Sequence, residues 1–472
     1  MAAQHQTTAS ELELEPHTID IIPAKERHGT VRDQFTLWFG NCINVVNMPL
    51  GALAVLLGLN LFWAIVAIVV GTILGTVFMS LHALQGPKLG VPQMLQSRAQ
   101  FGYYGAGLLF IFTFMLSFGF TAAELVLQAQ SLQVLAPGIS VPAGAAIFML
   151  PVLIISISGY DLIHRYLRWA SVVMGVTFVI LTIQAVAYGS LSGPVTSFSV
   201  PQFPLFLTMV ALFAVNTLTW APYVSDYSRY LPQSIKPFPV VMAVSVGTTI
   251  ATVWTCALGA LVGALLPKAA SIPAAIHQIS GAWPLVLLAL SLIAACTTSA
   301  YTGALALISL VPTRGVQSRP VASRIVAVAI FAVFAYGGAA LGYKSFLTNY
   351  SNFLYVLLFV FVPWTAVNLV DYYFIQHGNY DVKSLFSPKG TYGRWQWRGL
   401  VCYVIGLAAQ VPFIDQTLYT GPLVKDLGGA DISWIVGLIV GGGLYYLVAR
   451  NRPTAAVASA GTRAALATGD LE

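Results

Sequence analysis

The sequence predicts an all-α integral membrane protein with about twelve transmembrane helices. Three observations carry that expectation. First, 57% of the 472 residues are hydrophobic and only 8% are charged, whereas a soluble domain is about 25% charged. Second, hydropathy finds about twelve apolar runs long enough to cross ~30 Å of hydrocarbon. Third, the basic residues alternate from one connecting segment to the next. Twenty-two Lys and Arg residues are present, and only Lys268, Lys344 and Lys425 fall in every second segment. All the others fall in the segments that share a side with the N-terminus. Positive charge marks the cytoplasmic side, so both termini are expected there, in a multi-pass protein of the plasma (inner) membrane.

Taken in order, residues 1–34 are polar and lack the apolar core of a secretory signal. Composition predicts a disordered cytoplasmic arm. A single membrane domain of twelve helices is expected over 35–449. Its spans fall near 35–58, 61–84, 104–132, 143–160, 168–190, 204–224, 238–266, 283–311, 323–343, 352–375, 397–414 and 432–449, numbered spans 1 to 12 below. Residues 450–472 form a cytoplasmic tail. The cysteines Cys42, Cys256, Cys296 and Cys402 lie within apolar runs without metal or redox spacing, and read as small buried hydrophobes. The scattered basic residues exclude a nucleic-acid surface. The partners implied are the lipid bilayer and a small molecule.

Fifteen of the sixteen acids lie in tails, in loops or at the ends of apolar runs. Glu124 alone is deep within one, in LSFGFTAAELVLQAQ. A charge at bilayer depth costs at least ~2.5–3.5 kcal/mol and persists where it faces a cavity, a partner or a substrate.

Two further features point to a site. Span 1 reads FTLWFGNCINVVNMPLGALAVLLG. Asn41, Asn44 and Asn47 recur at every third position, on one helical face, and Pro49 and Gly51 follow where a break is expected. Span 6 carries Asn216, Thr217, Thr219 and Pro222. Spans 1 and 6 are the first helices of two five-helix sets if the chain is organised as five, five and two. In either span alone, Pro and Asn also serve ordinary helix packing. As a matched pair, they point to a transporter binding site between inverted repeats. Span 8 adds Thr297, Thr298, Ser299 and Thr302. Such hydroxyls suit a hard cation, and equally suit close helix packing.

Three stretches carry a resemblance. GPKLGVPQMLQSRAQFGYYGA after span 2, WAPYVSDYSRYLP at the end of span 6 and VDYYFIQHGNYDVKSLFSPKGTYGRWQWRG after span 10 resemble, in order, motifs of the nucleobase–cation symporter family. That family includes purine–cytosine, allantoin and hydantoin permeases. The likeness runs from about Arg32 to about Pro412. It implies a LeuT-like fold: a 5+5 inverted repeat plus two C-terminal helices.

The resemblance also implies residue roles. An aromatic in span 3 and a polar residue four positions later match Phe120 and Glu124. The family more often has Trp and an amide there, so a carboxylate changes what the site accepts. A second aromatic, in span 6 between Asn216 and Trp220, matches Leu218 by strict spacing and Trp220 two residues on. The span 8 asparagine of the family matches Gly303 and Ala304, which leaves that contact absent. Asn44 matches another polar contact. The sodium site of the family matches Gly40, Ile43, Ala295, Thr298 and Ser299. No cofactor is implied beyond a coupling cation, Na⁺ or H⁺, and Glu124 is the residue that would carry the proton.

A flat heteroaromatic needs an aromatic face, with stacking worth roughly 1–3 kcal/mol per base in single-strand binding, and polar groups at its edge. An ionised Glu124 is acceptor-only and takes hydrogen bonds from ring N–H or NH₂ groups. A channel would need a filter motif. A membrane-embedded enzyme would need paired acids, a His cluster or a nucleophile with its base. Neither pattern is present. The expected function is secondary active uptake of a nucleobase, cytosine or a purine. The alternative substrate is a related heterocycle such as allantoin, a hydantoin or a thiamine-precursor pyrimidine.

Overall fold

The structure is a computed structural model and describes residues 20–158, 160–189, 202–311 and 320–451. Most of the expected N-terminal arm and nearly all of the C-terminal tail lie outside the described residues. The twelve expected spans are all represented among them. Seven segments are long and apolar enough to cross a membrane, and the segment Ala322–Ile375 holds two helices, spans 9 and 10. One broken pair, Val31–Cys42 and Asn47–Leu56, forms span 1. Three shorter apolar helices, Val141–Ile157, Trp397–Phe413 and Ser433–Ala449, form spans 4, 11 and 12. Exposed Ile154, Val172, Ile183 and Val333 are among the apolar side chains that face outward toward lipid. Buried apolar residues and small residues fill the interior.

The pairing of helices follows the two-set organisation. The second half of span 1 lies on span 7, and the first half of span 6 lies on span 2. Span 3 lies on span 8, and span 4 on span 9. Each partner in the first set thus has its counterpart in the second, as an inverted repeat requires. Glycines allow the closest approaches. A Cβ at Gly51 would meet the Cys256 carbonyl oxygen at 1.8 Å, and one at Gly75 would meet the Ala214 carbonyl oxygen at 1.9 Å. Small residues at such crossings let helix backbones meet. Spans 11 and 12 lie together against span 10, where Pro363 faces Gly406 and Gly441.

The break in span 1 is not at Pro49 and Gly51. It falls over residues 43–46, with the two halves bent by 55°. Pro49 sits in the first turn of the second half, where a helix needs no donor from it. The three asparagines accordingly straddle the break instead of sharing one face. The side chains of Asn44 and Asn47 satisfy backbone groups that the break releases. The Asn44 amide donates to Asn41 O at 2.9 Å and accepts from Val46 N–H at 3.0 Å. Asn47 Nδ2 donates to Cys42 O at 2.8 Å. Span 6 runs as Phe203–Leu218, then a 3₁₀ turn Ala221–Tyr223, then Val224–Ser228. Its break falls on the expected Thr219–Pro222 stretch.

Two parts of the chain fit differently from their sequence expectation. The segment from Ile22 to Thr30 is anchored although composition placed it in a disordered arm. Ile22 is buried, its N–H donates to Gly90 O, and the Arg27 guanidinium donates to Ile22 O and Pro87 O. The connection between spans 2 and 3 is a buried hairpin of three short helices, Gln85–Leu89, Gln93–Gln96 and Arg98–Phe101. Its side chains are held from far along the sequence. Gln85 Nε2 donates to Asn368 at 2.7 Å, and Gln100 Nε2 donates to Asp371 at 2.6 Å. Gln93 N–H donates to Asp226, and Trp364 Nε1 donates to Ser97 Oγ. Arg98 donates to the carbonyls of Leu385 and Ser309, which anchors the hairpin. Asp371 also accepts from Tyr380 and Tyr445. Burial and that carboxylate push the Tyr380 phenol well above its ordinary value, so it stays a donor.

Candidate functional site

The two breaks meet. Asn216 Nδ2 in span 6 donates to Asn47 Oδ1 in span 1 at 2.9 Å, and Asn47 in turn donates to Thr255 Oγ1 in span 7 at 3.1 Å. Beside this junction lies a cavity lined from spans 1, 3, 5, 6 and 8. Span 1 contributes Gly40, Asn41, Ile43 and Asn44, span 3 contributes Glu124, and span 6 contributes Trp220 and Tyr223. Span 5 adds Ala170, Ser171 and Met174. Span 8 adds Ser291, Ala294, Ala295, Thr298 and Ser299.

Among the described residues Glu124 is the single carboxylate on this lining. It is only 4% exposed, and its Oε2 has no hydrogen-bond partner among the described residues. The Cys296 thiol lies against it and also points at Gln128 Oε1. Gln128 is fixed by donating to Ala289 O at 2.8 Å. Among the described residues no basic side chain lines the cavity to balance the carboxylate when it is ionised.

The aromatic face comes from span 6. Trp220 and Tyr223 lie with ring centroids 5.3 Å apart, and Trp38 meets Trp220 edge-on at 5.6 Å. Edge and tilted contacts of this kind fix ring orientation. The span 8 residues at 291, 295, 298 and 299 fall on one helical face. Thr298 Oγ1 donates to Ala294 O at 3.0 Å, so its lone pairs stay available. With the carbonyls freed around Gly40 and Ile43, this is an oxygen-rich corner of the type a hard cation prefers.

All five cation positions implied by the resemblance therefore line the cavity, with Glu124, Asn44 and Trp220. The other substrate positions do not. Phe120 turns into an aromatic cluster with Phe353 and Tyr350, at centroid distances of 5.4 and 6.4 Å. Leu218 ends its helix inside the apolar core. Asn216 is used in the junction with Asn47. Gly303 faces the Phe331 ring and Ser117, and Ala304 is buried beside Ile308 and Val328, further along span 8 than the cavity. Spacing along a helix cannot settle such cases, because it fixes a face but not what covers that face.

Sequence reasoning missed four kinds of lining residue. Tyr223 carried a signal, a polar aromatic directly after Pro222 in a breaking helix. Asn41 carried one as a member of the asparagine triplet. Ser291 shares its helical face with Ser299. Ser171 and its neighbours in span 5 carried none, because only tertiary packing brings that helix alongside. Among the described residues no cluster of His, Cys, Asp or Glu suits a metal ion.

Comparison with known proteins bears on this site. Residues 21–437 match the family model described as "Permease for cytosine/purines, uracil, thiamine, allantoin". A putative purine-cytosine permease of Bacillus subtilis is 35% identical over 93% of this chain and 97% of its own length. A purine-cytosine permease of Emericella nidulans is 23% identical over 92% of this chain and 88% of its own. Among solved structures, Mhp1 in an inward-facing conformation superposes with a TM-score of 0.73 at 18% identity, covering 93% of this chain and 94% of that one. Mhp1, described as a nucleobase-cation-symport-1 family transporter, in a closed conformation with bromovinylhydantoin bound also gives 0.73, at 20% identity, covering 92% and 94%. The fold is thus the LeuT-like arrangement that the resemblance implied.

Proposed function

The chain belongs to the family of permeases for cytosine/purines, uracil, thiamine and allantoin, the nucleobase–cation symporters, and from that premise we propose that it takes up a nucleobase, cytosine or a purine, by cation symport with alternating access. It is a membrane transporter and not an enzyme. The observation that carries the proposal is the cavity at the crossing of the two broken spans, where Glu124 and the Trp220 ring line one space with the oxygen-rich corner of span 8. A base stacked on Trp220 presents its edge to Glu124, which accepts from its N–H or NH₂ groups. Gly40, Ile43, Ala295, Thr298 and Ser299 hold the coupling ion as Na⁺. The plasma membrane is its place, with both termini in the cytoplasm, as the distribution of Lys and Arg supports.

The test is uptake of labelled cytosine, adenine, hypoxanthine, uracil and allantoin by cells expressing the chain, with and without Na⁺ at fixed pH. Saturable uptake of cytosine or a purine that needs Na⁺ supports the reading in full. In that case Thr298→Ala should raise the Na⁺ concentration needed for half-maximal uptake by about tenfold, the scale of one lost interaction of ~1.4 kcal/mol. Uptake that follows the proton gradient and ignores Na⁺ moves coupling to Glu124. Uptake of allantoin alone assigns the chain to the related heterocycles, and uptake of none of the five overturns the nucleobase reading.

A further inference from the structure

The lining of the cavity holds more unsatisfied polar groups than the resemblance assigns. Asn44, the expected amide contact, is already committed at both ends of its amide, to Asn41 O and to Val46 N–H. Asn41, three residues earlier, is the opposite case. It is 6% exposed and lines the cavity, and its Nδ2 has no partner among the described residues. Tyr223 is 5% exposed and also lines the cavity. Its hydroxyl makes no hydrogen bond to any described residue, although the ring is held by Trp220. Asn41 Nδ2 and Glu124 Oε2 are thus two buried polar groups without a partner among the described residues, and with Tyr223 they come from three different spans around one space. Buried polar groups are almost always paired in native proteins. Two exceptions around one cavity, beside the Tyr223 hydroxyl and an aromatic face, mark where a ligand supplies the partners.

The chemistry of the three groups sets what that ligand presents. An ionised carboxylate only accepts. The Asn41 NH₂ donates, and the Tyr223 hydroxyl is free to donate. We propose that Asn41 and Tyr223 are the donors of the substrate site, and that with Glu124 they select a heterocycle whose edge carries one N–H or NH₂ group together with two acceptors. Cytosine has such an edge, with its exocyclic NH₂, ring N3 and O2. Uracil has one too, with N3–H between O4 and O2. Guanine places two adjacent donors on its edge beside one acceptor, and leaves one of the two protein donors facing a donor. This assignment rests on the nucleobase reading of the cavity and refines it.

The test compares Tyr223→Phe and Asn41→Ala with the wild type, each at matched surface expression, through inhibition of labelled cytosine uptake. Unlabelled cytosine is set beside 4-aminopyrimidine, which lacks O2, and 4-amino-2-pyridone, which lacks the ring N3 acceptor. The wild type should bind cytosine at least tenfold more tightly than either analogue. Tyr223→Phe should raise the inhibition constant of cytosine about tenfold, leave that of one analogue within twofold, and so erase the preference over that analogue alone. Asn41→Ala should erase the preference over the other. A structural role predicts equal loss for all three compounds, and that result overturns the assignment, as does an unchanged profile in both variants. If Asn41→Ala does not reach the membrane, Tyr223→Phe alone decides between these outcomes. When the wild type transports uracil in place of cytosine, the same comparison runs with 2-pyridone and 4-pyrimidone. Absence of uptake of every base in the wild type overturns the functional reading itself, a result distinct from an unchanged profile in a transporting protein.

Discussion

A carboxylate in the middle of a transmembrane helix needs something polar to meet it. Glu124 has the Cys296 thiol on one side and the cavity on the other. Replacing it with Gln keeps size and hydrogen bonding but removes the charge-assisted acceptor. Hydrogen bonds to charged groups are worth ~1.5–3 kcal/mol, so Glu124→Gln should lower the apparent affinity for the cognate base by about tenfold or more. Its thermal unfolding in detergent should stay within a few degrees of the wild type. Unchanged transport by this variant would sink the substrate role. The residue was legible in sequence because every other acid had somewhere else to go. Phe120, one helical turn away, was equally visible but does not line the cavity. Its ring is claimed by Phe353 and Tyr350, and nothing in span 3 alone announces the partner on span 10. Tyr223 shows the converse: its neighbours marked a break, but only the assembled cavity showed where its hydroxyl stands.

At the scale of the element, the informative objects are the two interrupted helices. That each breaks was readable from Pro and Asn in matched positions. Where span 1 breaks was not, because Pro49 is harmless in the first turn of a helix and the real discontinuity is set by asparagine side chains that replace backbone partners. The Asn216–Asn47 bond joins the two discontinuities. Removing Asn216 as Asn216→Ala leaves the Asn47 oxygen buried and unpaired, and that should cost ~1–3 kcal/mol. The check is a lower midpoint of thermal unfolding in detergent, together with weaker uptake. The span 1–span 7 crossing is less forgiving. A side chain at Gly51 would overlap the Cys256 carbonyl, backbone against backbone, with no flexible group to yield. Gly51→Val should remove the protein from the membrane fraction, whereas the same change at Gly443, where a Cβ meets nothing within 4 Å, should be tolerated.

For the whole molecule, the charge pattern gives a prediction about orientation. A single cysteine placed at Lys425 should react with an impermeant maleimide added outside intact cells, and one placed at Lys389 should react only after the cells are opened. Reaction of Lys389→Cys from outside would reverse the topology. The span count and the two-set organisation were readable because hydropathy and loop charge are local and additive. The buried hairpin between spans 2 and 3 was not, since its amides find their partners about 270–280 positions later along the chain, Gln100 on Asp371 and Gln85 on Asn368. Those separations have a meaning in time. A ribosome adds about 5–20 residues per second, so roughly 15–60 s pass between the synthesis of this hairpin and that of the residues that satisfy it. Throughout that interval an unsatisfied polar hairpin waits at the membrane surface. The first half of the protein is thus completed only by the second, and a chain stopped after span 9 should be recognised as unfinished and degraded, even though every helix of its first repeat is already in place.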